Sequence, residues 1–185
     1  MKIIVLTLVL AACFLGQSTE RSARESFIVR VSEGRSTLHS VLGTSNYNNC
    51  LIIMPDGRIQ LQLRSREFFD GTAVLTTYQS ALPDKDLEIL QGLIDDEAVK
   101  ALPPFGGPLV VPKDVDEWQV LNAEIARGKA VQHVGYAAWQ PEPDSAVWNR
   151  AKLALRRLVE WSHAVQNGRS VDWKRVANSN SYCGQ

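Results

Sequence analysis

The chain has 185 residues, 45% of them hydrophobic, with 20 basic and 20 acidic side chains. That length suits one domain with a sizeable core. A neutral chain without a basic block gives no electrostatic footprint for nucleic acid or for an anionic membrane surface.

The N-terminus reads as a targeting segment. Met1-Lys2 precedes an apolar run from Ile3 to Leu15, and Gly16, Gln17, Ser18, Thr19 and Glu20 follow. A positive end, an apolar middle and a small-residue exit are the layout of a secretory signal peptide. The run is shorter than the ~20 helical residues that cross a bilayer. The predicted division is a signal peptide at 1–18 and a single globular domain at 19–185. Cleavage before Thr19 would release that domain. Leu10-Ala11-Ala12-Cys13 also fits a lipobox, in which Cys13 carries a lipid, although the apolar Phe14 and Leu15 behind it are unlike a lipoprotein linker. Both cuts stay open at this point. The chain is expected to be exported, either periplasmic or secreted, or else membrane-anchored through a lipidated Cys13, with no transmembrane span in its mature form.

Two further cysteines are Cys50 and Cys183. In an oxidising compartment an even count reads as a disulfide. Closing a loop of that length is worth ~4–5 kcal/mol in the chain-entropy model. Free thiols, or a catalytic Cys50, are the alternatives; a catalytic thiol needs a basic partner to lower its pKa.

In chain order, Phe27, Val29 and Val31 alternate with Ile28 and Arg30, the period of a half-buried strand. The polar stretch Ser32–Asn49 is expected to be a loop. Cys50–Met54, Pro55-Asp56-Gly57 and Arg58–Arg64 predict a hairpin, because glycine accepts positive φ at low cost. Ile59, Leu61 and Leu63 point one way and Arg58, Gln60, Gln62 and Arg64 the other, predicting one dry face and one wet face. A strand is predicted at Ala73–Tyr78. A helix is predicted from about Pro83 to Asp95, with Leu87, Leu90 and Ile94 at helical spacing and Asp84 and Asp86 at its positive end. Asp96 caps a short extra turn ending near Leu102. Leu102–Pro108, with three prolines, is a connecting loop. Residues 118–138 fit a helix in part, but Arg127-Gly128-Lys129 between β-friendly runs favours a second hairpin. Asp144 or Ser145 caps a last helix reaching Gln166, with Asn167-Gly168 as its stop. Val147, Ala151, Ala154, Leu155, Leu158, Trp161 and Val165 form its apolar stripe, His163 falls on its polar side, and Leu153 is misplaced. The fold class is α+β, an antiparallel sheet of about five to six strands with two helices on one face.

The order of a cysteine-led strand, a Pro-Asp-Gly turn, a second strand and a helix carrying Leu87, Leu90 and Ile94 is similar to exported bacterial domains of unknown function, over roughly residues 50–100. The resemblance implies no activity and no site residue.

No nucleotide loop, zinc-protease helix, calcium loop, serine elbow or CxxC pair is present. His39, His133 and His163 lie far apart, and lone histidines are commonly ordinary polar residues. The acidic pairs Asp84/Asp86 and Asp95/Asp96 are explained as helix-end residues. The surplus is tryptophan: Trp118, Trp139, Trp148, Trp161 and Trp173. Trp139 and Trp173 are the candidate ligand contacts, since exposed tryptophan beside polar groups anchors partners. The expectation is a non-catalytic binding module, without cofactor or metal, whose partner is a protein or a component of the cell envelope. The alternative is a secreted hydrolase built on His39 or His133 near a carboxylate.

Overall fold

A computed structural model describes residues 27–39, 43–66, 71–106, 115–139, 145–168 and 170–177. Four strands come first: β1 (Val29–His39), β2 (Gly43–Ile53), β3 (Arg58–Arg66) and β4 (Val74–Ala81). Helices α1 (Asp84–Ile94) and α2 (Glu97–Lys100) follow, then the hairpin β5 (Glu117–Arg127) and β6 (Ala130–Trp139). Helix α3 (Ala146–Gln166) and the short strand β7 (Lys174–Val176) complete the described chain. The strands form one seven-stranded sheet in the order β6-β5-β1-β2-β3-β4-β7, and every pairing in it is antiparallel. The class is therefore α+β.

The turn between β2 and β3 follows the sequence signal. Gly57 sits at φ 81°, where a side chain would be strained. Asp56 accepts from the Arg58 backbone N–H and pairs with its guanidinium at 2.6 Å. The hairpin at Arg127-Gly128-Lys129 also forms, with Gly128 at φ 64°. Asp96 caps α2 by accepting from the Ala98 N–H, and Ser145 caps α3 by accepting from the Trp148 N–H.

Four expectations are corrected. Ser32–Asn49 is not a loop: β1 runs to His39 and β2 starts at Gly43, paired in register throughout. The polar residues there sit on a ladder whose backbone bonds are satisfied, so composition does not exclude strand. The sheet has seven strands, not five or six, because β7 adds Lys174-Arg175-Val176 along β4; three residues are too few to show alternation. Among the described residues there are three helices, the four-residue α2 standing as an element of its own. And the second face is not simply wet, since Gln62 is 2% exposed and Gln60 is 9% exposed.

The core lies between one sheet face and the helices. Val29, Val31, Leu51, Ile53, Ile59, Leu61, Ala123, Ile125 and Val134 meet Leu90, Leu93 and Ile94 of α1, Val99 of α2, and Ala151, Leu155 and Leu158 of α3. Arg127 joins hairpin and helices: its guanidinium donates to the Ile94 carbonyl at 2.6 Å and reaches Asp95 at 3.3 Å. Helix α1 has no basic residue in its last turn, so β5 supplies the cation that the C-terminal carbonyls attract.

A candidate binding cleft on the sheet

The helices do not cover the whole of their sheet face. Beyond the core, the part of that face carried by β1–β4 is a concave cleft of about 720 Å³. Register places its walls. Arg35, Tyr47, Ser65 and Val74 are mutual neighbours in one row across the four strands, and Glu33, Asn49, Leu63 and Thr76 in the next. Rows of one face are two residues apart, ~7 Å, and neighbouring strands are ~4.8 Å apart. Tyr47 is 49% exposed, Val74 57% and Leu63 39%. Tyr78 closes the cleft toward the core, and Glu117 of β5 its far corner.

The ionised groups of the cleft have partners. The Glu33 carboxylate is largely buried and meets the His163 ring Nε2 at 2.7 Å, while Gln119 donates to its other oxygen. Arg35 lies 3.6 Å from Glu117. Arg64 is also engaged. Tyr136, behind Glu33, has its phenol pKa raised above the ordinary 10.0, by burial first and by the Glu33 charge second.

The residues singled out from sequence lie elsewhere. Trp139 is half-buried, edge-on to Trp148 with ring centroids 5.3 Å apart. Trp173 is packed against the core, and its indole N–H donates to the Val165 carbonyl at 3.2 Å. Both act as packing groups at the two ends of α3. His133 is half-exposed on the face away from the helices, 3.7 Å from Glu124, which also holds Arg30 at 2.6 Å. The side chain of His39, and the whole of Cys13 and Cys183, lie outside the described residues. His163, expected on the polar side of α3, instead reaches across to β1. Its pairing with Glu33 joins residues 130 apart in sequence, which periodicity within one helix cannot reveal. The cleft residues of β1 and β2 fell in the stretch read as a loop, while Leu63, Val74 and Thr76 lie in stretches predicted as strands; on β1 an alternation of Glu33, Arg35 and Thr37 with Ser32, Gly34 and Ser36 was the signal, hidden by having no apolar member.

No hydroxyl or thiol is hydrogen-bonded to His163 among the described residues. Among the same residues no group of three or more histidine, cysteine or carboxylate side chains is placed to hold a metal ion. No helix there is long and apolar enough to cross a membrane.

On the opposite sheet face Cys50 is 0% exposed, Gln62 2% and Thr77 1%, in one row with Val176 of β7. The described helices all lie on the other side. Cys50 is not a free titrating thiol.

Comparison with known proteins finds no matching family model, no matching curated protein and no matching solved structure.

Proposed function

We propose that the protein is an exported, non-catalytic binding module whose ligand seats in the cleft on β1–β4. One observation carries this reading: a concave site of about 720 Å³, within the ~300–1,000 Å³ span of ligand pockets, that leaves Tyr47, Leu63 and Val74 uncovered. Tyr47 takes over the anchoring role that the sequence suggested for Trp139 and Trp173. Protein-observed NMR with fractions of the native envelope tests it. Shifts clustering at Tyr47, Leu63 and Thr76 are expected; a cluster confined to the opposite face around His133 would sink it.

The hydrolase reading keeps one specific support, the Glu33–His163 pair at the cleft wall. Carboxylate and imidazole in contact are the parts of a general base. If a hydrolytic activity is found, His163→Gln must abolish it; on the binding reading the same change affects stability alone.

Export rests on the layout of residues 1–18. Intact mass of the mature protein separates a chain beginning at Thr19 from one beginning at a diacylated Cys13. Support for a Cys50–Cys183 disulfide comes from reach. Cys50, Gln62, Thr77 and Val176 share one row, so Val176 is three strand spacings from Cys50, ~14 Å. The seven residues from Val176 to Cys183 span up to ~24 Å. Non-reducing peptide mapping should find the linked peptides, and finding Cys183 as a free thiol would end the proposal.

A further inference from the structure

Resting on the cleft as the ligand site, we infer that its ligand is an uncharged oligosaccharide. Three features of the cleft converge on that chemistry.

The first is charge. Glu33 is held by His163 and Gln119, Arg35 faces Glu117, and Arg64 has a partner. At the largely buried Glu33 a charged ligand would have to displace His163 or Gln119 and leave the carboxylate short of a partner. A neutral ligand leaves them in place.

The second is backbone. Across the cleft β1, β2, β3 and β4 are paired with one another in continuous antiparallel register. Their N–H and C=O groups are spent within the sheet and lie in its plane. An extended peptide gains most of its affinity by adding to a free strand edge, and β1, β2 and β3, each paired on both sides, offer none along the cleft floor. Recognition is left to side chains.

The third is pattern. Along β2, β3 and β4, apolar and hydrogen-bonding side chains alternate between the two rows: Tyr47 beside Asn49, Leu63 beside Ser65, Val74 beside Thr76. The result is a checkerboard of apolar patches and amide or hydroxyl groups with ~5 Å by ~7 Å spacing. A sugar ring carries the complementary pattern, a C–H face that packs on an aromatic ring and a rim of hydroxyls that donate and accept. Tyr47, half-exposed, supplies the ring. A purely apolar ligand would desolvate the Thr76 hydroxyl and the Asn49 amide N–H groups, while the Asn49 oxygen accepts from the Glu33 N–H at 3.2 Å.

The experiment is calorimetric titration of the full mature chain with cello-, chito- and malto-oligosaccharides. A neutral peptide library and an acidic oligosaccharide are run in parallel. Binding of at least one neutral series is expected, with an affinity unchanged between about 50 and about 500 mM salt, since no ion pair with the ligand is there to be screened. Tyr47→Ala should weaken it about tenfold or more, the loss typical of a central aromatic anchor, while Tyr47→Phe largely keeps it. Tyr47 is exposed, so neither change threatens the fold, and circular dichroism verifies that. If a peptide or the acidic ligand binds in a Tyr47-dependent way and no neutral sugar does, the ligand class is wrong and the cleft stands. If a sugar binds but is indifferent to Tyr47→Ala and to Asn49→Ala, the inference and the cleft fall together.

Discussion

Gly135 on β6 shows how one missing side chain shapes the edge of the sheet. A Cβ there would stand 2.2 Å from the Leu121 carbonyl oxygen and 2.8 Å from the Phe105 ring. The Phe105 N–H bonds the His133 carbonyl alongside, so the Pro103-Pro104-Phe105 segment depends on that gap. Gly135→Ala is expected to cost about 1–3 kcal/mol through forced displacement of backbone, read as a lower urea midpoint at constant slope. Tyr136 gives a pH signature. Its folded pKa lies above its unfolded one, so the folded chain keeps the phenol proton to higher pH. The contribution is whole below about pH 10 and is lost as pH rises through the folded value. Stability should therefore fall in alkali, and Tyr136→Phe should remove that part of the fall in a denaturation series above neutral pH. For Glu33 and His163, the pair ties α3 to β1. His163→Ala should destabilise by about 1 kcal/mol, modest because the ring is 44% exposed; no loss in thermal unfolding would show the pair to be incidental.

Helix α3 separates what periodicity can and cannot deliver. Of its predicted stripe, Ala151, Leu155, Leu158 and Val165 are buried as the spacing requires, while Val147 in the first turn is 55% exposed. Leu153, the misfit of that pattern, is 71% exposed. Leu155→Ala should cost about 2–5 kcal/mol, while Leu153→Ala should be close to neutral in the same chemical denaturation assay. Both hairpins, the caps of α2 and α3 and the limits of α1 were legible because turn chemistry, capping and apolar spacing are local. β1 beyond Ser32 and the first half of β2 were not. Their side chains point into an open cleft or across the second face, so neither needs to be apolar, and the strand is held by ladder bonds that composition does not record. The candidate site was illegible because it is assembled from four strands, and each contributes only two or three ordinary residues, polar and apolar mixed.

Over the whole molecule the sheet has two unequal faces. One carries the helices and the cleft. The other buries Cys50, Gln62 and Thr77, and among the described residues the Thr77 hydroxyl and the Asn122 amide oxygen have no hydrogen-bond partner. Polar atoms buried in that state are costly, which gives a covalent staple at Cys50 something to offset. With a Cys50–Cys183 bond, reduction should lower stability by up to ~4–5 kcal/mol. The check is the shift in thermal midpoint with and without reductant; an unchanged midpoint would place the stabilisation elsewhere.

The position of β1 in the sheet order has a further consequence. It pairs with β2 on one side and with β5 on the other, joining residues 29–37 to 117–125. The meander β1–β4 and the hairpin β5–β6 are each built from neighbours in sequence, and within the sheet the β1–β5 seam unites them. A chain made from its N-terminus finishes the meander first. Until the hairpin emerges, β1 stands as an open edge, long and extended, of the kind that recruits other chains. Like the β4–β7 pairing, that seam joins residues far apart in sequence, and such pairings slow folding; mutations along it are expected to slow refolding more than they hasten unfolding, read from the two arms of a chevron.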